Sequence, residues 1–132
     1  MGPDQIVTDK AGNLYVSDLE LIRKITPAGV VTTLAGGTTR SFDFVNDVDG
    51  TGNAALFRSN GPMAIDAAGN LYKHSFTGNV RKITPSGVVT TVAKALSFAG
   101  AAPQNSTVSL YAGIPGVVIV QSYARLSKVQ VD

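Results

Sequence analysis

The stretch that decides the fold is residues 9–15, Asp-Lys-Ala-Gly-Asn-Leu-Tyr, because it returns at residues 66–72 with one change in seven positions. A longer block, residues 23–35, returns at residues 81–93 with two changes in thirteen. The offset is 57 for the first block and 58 for the second, so the two copies differ by one residue inserted between the blocks. Self-similarity of this kind indicates a repeat architecture.

A third and more divergent copy follows the first two. Residues 116–122 align with residues 12–18, and residues 126–129 align with residues 22–25, both at an offset of 104. No Gly-Val-Val-Thr-Thr segment follows in this copy. The third unit is therefore predicted to have three strands where the first two have four.

Each complete unit is predicted to form four short β-strands. In the first unit, Gly-Asn and Pro-containing turns separate runs that are β-branched or aromatic. The predicted strands are residues 5–8, 14–17, 21–25 and 30–34. Connections of only a few residues permit antiparallel hairpins and exclude a parallel sheet. No stretch shows convincing helical periodicity.

Four-stranded antiparallel units repeating every ~40 to 60 residues predict an all-β fold of β-propeller blades. The repeated blocks, together with the linker Asp-Gly-Thr-Gly-Asn-Ala-Ala-Leu-Phe at residues 49–57, resemble bacterial NHL-repeat propellers. The resemblance implies this fold, places Phe57 in the blade core, and implies an extracellular or cell-surface parent protein. It implies little about chemistry, since one fold hosts many functions.

The second unit departs from the family pattern in two places. The approach to Asp66 is two residues shorter than the usual pattern. The Val-x-Asp that follows the tyrosine is intact at residues 16–18 but becomes Lys73-His74-Ser75 in the second unit.

We expect a single domain whose ring of blades is incomplete. The predicted parts are blade one at about residues 2–36, a connection at 37–60, blade two at about 61–94 and an incomplete blade three at about 106–132. A closed propeller needs about four to eight blades. Either the chain is a fragment of a larger propeller, or copies self-associate, and we favour a dimer because two copies would supply about six blades.

Composition excludes several classes of function. The 132 residues contain no cysteine, which excludes disulfides, thiolate nucleophiles and cysteine-ligated metals. A net charge of +2 and the absence of tryptophan argue against a nucleic-acid partner. The longest aliphatic run, residues 117–120, is too short to span a membrane, and the first residues do not resemble a signal peptide. No nucleotide-binding pattern occurs, so we expect no cofactor.

Few residues are candidates for catalysis or metal binding. Asp47 and Asp49 could begin a calcium loop, but the EF-hand pattern requires glycine at position six and glutamate at position twelve. Counted from Asp47, Gly50 falls at position four and Arg58 at position twelve. We favour an Asp-Gly turn and keep the two aspartates as weak metal candidates. For His74, the one histidine, the sequence alone identifies no catalytic partner, so we predict no catalytic residue.

A repeated basic pair carries a structural prediction. Arg23-Lys24 recurs as Arg81-Lys82, at equivalent places of the two units. We expect one side chain of each pair to bond locally and the other to be solvated. For Arg23, the expected partner is Asp18, across a short hairpin, in an exposed pair worth under about 1 kcal/mol.

The long connection carries the predicted ligand site. A connection of this length is usually functional or disordered. We predict that Arg40, Phe42, Phe44 and Arg58 bind a ligand at one end of the propeller channel. The alternative is that the two phenylalanines cover the apolar end of the blade stack. We therefore expect a non-catalytic scaffold that recognises a protein or carbohydrate-like ligand. The alternatives are a metal-dependent propeller hydrolase or lyase and a purely structural propeller fragment.

Overall fold

A computed structural model describes residues 5–18, 20–37, 47–57, 62–74, 79–93, 109–114, 117–122 and 125–130. Apart from one 3-10 turn, Gly52–Ala54, every element in these ranges is a β-strand. The strands are β1 Gln5–Thr8, β2 Leu14–Asp18, β3 Leu21–Ile25, β4 Val31–Ala35, β5 Gly50–Thr51, β6 Met63–Ile65, β7 Leu71–His74, β8 Val80–Ile83, β9 Val88–Ala93, β10 Ser109–Ile114, β11 Val117–Ser122 and β12 Arg125–Gln130. The predicted all-β fold is confirmed.

The first sheet contains β1, β2, β3 and β4 in that order, all antiparallel. These are the four strands predicted for the first unit, with β2 extended to Asp18 and β4 displaced by one residue to Val31–Ala35. A register shift between Ile22 and Arg23 accompanies the pairing of β3 with β4. The same shift recurs in the second sheet between Val80 and Arg81.

The second sheet has the order β5-β9-β8-β7-β6 and therefore one strand more than the repeat predicts. The additional strand, β5, belongs to residues 47–57, which we call the strap. It pairs with the outer edge of β9 through Gly50 opposite Val89 and Thr51 opposite Val88. The strap thus closes an edge that the four repeated strands leave open.

The third sheet contains β10, β11 and β12 in sequence order. One edge strand of each sheet contacts an edge strand of the next, with β6 between β1 and β10. Three antiparallel sheets whose inner strands are neighbours form a propeller-like arrangement, and the ring is not closed. Among the described residues there is no helix long and apolar enough to cross a membrane.

The repeated Asp-x-Ala-Gly-Asn-Leu-Tyr block is a hydrogen-bonded turn. Asp9 Oδ1 accepts bonds from the backbone N–H groups of Ala11 and Asn13, at 3.0 and 2.9 Å. Its Oδ2 accepts bonds from Asn13 Nδ2 at 2.8 Å and from the Tyr15 hydroxyl at 3.0 Å. The same four bonds recur around Asp66. The aspartate, asparagine and tyrosine of the block recur together because their side chains hydrogen-bond to one another in the β1–β2 and β6–β7 hairpins.

Two apolar cores join the three sheets. The core between the first and second sheets comprises Tyr15, Ile22, Ala35, Ala55, Phe57, Met63, Leu71, Ile83 and Val89. The core between the second and third sheets comprises Ala64, Tyr72, Val80, Ala112, Val118 and Val129. Phe57 is 4% exposed, which confirms its expected place in the blade core.

Candidate functional site

Arg81 on β8 holds the strap against the second sheet. Its guanidinium bonds Asp47 Oδ1 at 3.0 Å and Asp49 Oδ1 at 3.1 Å. It also donates to the carbonyl oxygens of Leu56 at 3.0 Å and Val48 at 2.9 Å. The side chain is completely buried, which is tolerable for a cation only because charged and polar acceptors surround it.

The strap makes further contacts that fix its position. The Arg81 guanidinium lies 5.1 Å from the centre of the Phe57 ring, a cation–π geometry. Asp49 accepts bonds from the backbone N–H of Thr91 at 3.0 Å and from its hydroxyl at 2.7 Å. Burial raises the pKa of Asp49, but these Thr91 bonds and the Arg81 charge outweigh it and hold the pKa below 3.8. Asp49 is therefore a stably ionised link between β8 and β9.

The weak metal candidates Asp47 and Asp49 are both ion-pair partners of Arg81. Both carboxylates face Arg81, and Asp47 also accepts a bond from Asn79 Nδ2 at 3.0 Å. No group of three or more His, Cys, Asp or Glu residues that could hold a metal ion occurs in the described ranges. The sequence interpretation as a simple Asp-Gly turn missed the long-range role of these residues.

Two polar residues that depart from the repeat pattern lie in the same region. Lys73 Nζ donates to Ser17 Oγ on β2 at 2.7 Å, which joins the second sheet to the first. His74 follows on β7, is 8% exposed, and donates its backbone N–H to Pro62 O at 3.1 Å. Burial lowers the pKa of His74, while the nearby Asp47 carboxylate acts in the opposite direction.

Within the part of the chain that the structure describes, one face of the first sheet, which we call the uncovered face, has no other sheet packed against it. Strand pairing places Ile6 and Val31 on the face of the first sheet that corresponds to Met63 and Val89 in the second sheet. Met63 and Val89 pack against the first sheet and are 5% and 1% exposed. Ile6 and Val31, against which no other described sheet packs, are 57% and 56% exposed. The first sheet thus exposes apolar side chains on the face whose equivalent in the second sheet is buried against a neighbouring sheet.

Arg23 lies on this uncovered face. It pairs with Asp18 at 3.8 Å, with both side chains more than a third exposed, as predicted. Its Nη1 also donates to Thr33 Oγ1 at 2.8 Å on the neighbouring strand. The equivalent Arg81 is buried, which the sequence interpretation did not predict. The available signal was the Asp-x-Asp pattern that precedes the second unit.

The predicted ligand-binding residues lie outside the described residues. These are Arg40, Phe42, Phe44 and Arg58. Their role in binding stays a prediction.

Comparisons with known proteins support the fold. No protein-family model and no curated protein matches the chain. Among solved structures, the chain is similar to virginiamycin B lyase from Staphylococcus aureus, with a TM-score of 0.53 and 12% sequence identity. The match covers 97% of this chain and 41% of the lyase chain, so this chain spans less than half of that β-propeller. At this identity the similarity establishes a propeller-like fold alone.

Proposed function

We propose that the chain is a non-catalytic, NHL-like protein-binding module and that it binds through the uncovered face of the first sheet. The observation that carries this proposal is the exposure of Ile6 and Val31 where the second sheet buries Met63 and Val89. Burying one such aliphatic side chain contributes roughly 1.5–3 kcal/mol. The face also ends in β4, whose outer edge pairs with no described strand. An apolar face beside an open strand edge favours a polypeptide partner.

A second copy of the chain is the partner that best fits this face. Each chain supplies three sheets, so two copies supply six, within the range of closed propellers. The chain also spans 41% of the propeller it resembles, so that two copies approach the length of a complete ring. Ligand binding by Arg40, Phe42, Phe44 and Arg58, for a protein or a carbohydrate-like ligand, would be a further role of that assembly.

Light scattering on a sizing column, over a range of protein concentrations, tests this proposal. We expect a species near twice the 13.6 kDa mass of the chain. Val31→Lys places a charge on the uncovered face and should shift the mass to that of the monomer. Thr32→Lys is the matched control, because the neighbouring side chain on β4 points to the opposite face. A 13.6 kDa species at every concentration would contradict self-association.

The alternative of a propeller lyase is supported by the name of the S. aureus neighbour. The described residues that could serve it are Asp47 and Asp49, both bonded to Arg81. Titration calorimetry with Ca²⁺ and Zn²⁺ would test whether these carboxylates exchange Arg81 for a metal. Binding that disappears in Asp49→Asn would favour the enzyme alternative over the scaffold.

A further inference from the structure

We propose that the outer edge of the first sheet, at Arg23 and Thr33, binds an extended acidic segment of a partner protein with the pattern Asp-x-Asp-Gly. The inference rests on the proposed function, because Arg23 lies on the face proposed to bind protein. It adds, at the strand edge beside the apolar contact proposed for a second copy, a recognition site for a further protein and specifies its chemistry. The argument starts from the second sheet, where the equivalent site is occupied.

The strap shows how this position of the repeat binds an acidic segment. In the second sheet, Asp49 accepts bonds from both Arg81 and Thr91. The two residues that follow, Gly50 and Thr51, then pair with β9 as an added edge strand. The site therefore combines charge-assisted bonds with strand addition, a recurring mode of peptide recognition.

The first sheet has the equivalent pair of residues, and no acidic strand of the described residues pairs with its outer edge. Arg23 pairs across the strands with Thr33, as Arg81 does with Thr91. Arg23 donates directly to the Thr33 hydroxyl, whereas Asp49 lies between the two equivalent residues in the second sheet. The Arg23 side chain is 37% exposed, while that of Arg81 is inaccessible. Arg23 pairs with Asp18 only at 3.8 Å, and its exposed guanidinium is therefore accessible to an incoming carboxylate as well.

The third repeat indicates that the arginine and the acidic segment belong together. Ser127 stands at the position of Arg23 and Arg81, and residues 94–108, which precede this repeat, contain no Asp or Glu. The repeat without the acidic segment also lacks the arginine. The first repeat retains its arginine and its threonine, which is the combination that holds the strap in the second.

We assign the acidic segment to a different protein, because the strap of a second copy is already bound to Arg81. The chain contains one Asp-x-Asp pattern, residues 47–49. Arg81 already holds both of its aspartates, and Asp47 is nearly inaccessible there. A second copy would have to give up these bonds to form equivalent ones at Arg23, with no gain.

A peptide-binding measurement on the full chain tests the inference. The probe is a fluorescently labelled peptide with the sequence of residues 46–57, Asn-Asp-Val-Asp-Gly-Thr-Gly-Asn-Ala-Ala-Leu-Phe. Its control peptide replaces both aspartates by asparagine. By fluorescence anisotropy we expect saturable binding of the acidic peptide, about tenfold or more tighter than that of the control, and weaker at high salt.

Variants of the chain locate the peptide. Arg23→Gln should weaken binding by about tenfold or more, whereas Lys24→Gln, on the opposite face of β3, should leave it unchanged. Circular dichroism on each variant checks that it is folded. Equal binding of the two peptides, no saturable binding, or binding that Arg23→Gln leaves intact would overturn the inference. Binding that Arg23→Gln leaves intact would indicate that the peptide displaces the strap and binds at Arg81 instead.

The outcome also separates this inference from the proposed function. A dimer that Val31→Lys dissociates, in a chain that does not bind the acidic peptide, would overturn the inference alone. A monomer that binds the peptide through Arg23 would overturn self-association alone. A dimer that Arg23→Gln dissociates, without peptide binding, would identify a second copy as the occupant and also overturn the inference.

Discussion

Lys73 and Ser17 join the second sheet to the first through one buried hydrogen bond, from the Lys73 ammonium to the Ser17 hydroxyl, at 2.7 Å. Both side chains are inaccessible to solvent. A buried ammonium is costly unless acceptors replace its hydration. The bond therefore makes the stability of the second sheet depend on a residue of the first, in addition to their shared apolar core.

We expect Ser17→Ala to lower the free energy of unfolding by about 1–3 kcal/mol, because it removes an acceptor from a buried charged donor. Urea denaturation measures the change. The matched control is Ser86→Ala, at an exposed turn, which should change the free energy by less than about 0.5 kcal/mol. Equal effects of the two variants would show that the bond to Lys73 contributes nothing to stability.

A substitution at Gly87 would test how closely the backbones of the first and second sheets approach each other. Gly29 and Gly87 are equivalent and have the same left-handed conformation, with φ of 86° and 87°. A Cβ on Gly29 would meet nothing within 4 Å, while one on Gly87 would lie 2.6 Å from Leu34 O of the first sheet. Gly29→Ala should cost about 1–2 kcal/mol from backbone strain alone.

Gly87→Ala should cost more than Gly29→Ala, because the strain is the same and the added methyl group must also displace β4. Thermal and urea unfolding of the two variants give the difference directly. Equal costs would mean that the two sheets are not in close contact at Leu34.

Arg81 should be far more important for stability than its repeat equivalent. Arg81→Gln leaves the buried carboxylate of Asp47 without its guanidinium partner, and loss of one member of a buried pair costs about 3–5 kcal/mol. Arg23→Gln removes a long, exposed pair with Asp18 and should cost under about 1 kcal/mol. Urea denaturation of both variants compares them, and similar costs would contradict the burial of Arg81.

The contrast between these arginines shows what the sequence could and could not predict. Repetition and turn residues predicted the strands of the first sheet and the propeller-like arrangement, because those depend on local spacing. The pairing of Arg81 with Asp47 and Asp49 links positions more than thirty residues apart, and nothing in the local pattern distinguishes Arg81 from Arg23. The sequence also did not predict the added strand β5, because a strand of two residues is too short to show an alternating pattern.

His74 should make stability depend on pH in a range where few other groups titrate. It is the one histidine of the chain, and burial holds its pKa below the usual 6.5 in the folded state. The unfolded chain therefore takes up a proton near pH 6.5, while the folded chain resists protonation until a lower pH. The free energy of unfolding should be greatest above pH 6.5 and should fall as the pH drops through the folded pKa.

Urea denaturation between about pH 8 and pH 5 measures this dependence, and an NMR titration of the imidazole gives the folded pKa. His74→Asn should flatten the curve below pH 6.5, whatever its effect on stability at higher pH, because it removes the titrating group. The α-amino group titrates near pH 8 and is common to both proteins, so it cancels in the comparison. A curve for the variant that falls as steeply as that of the original chain would assign the dependence to another group.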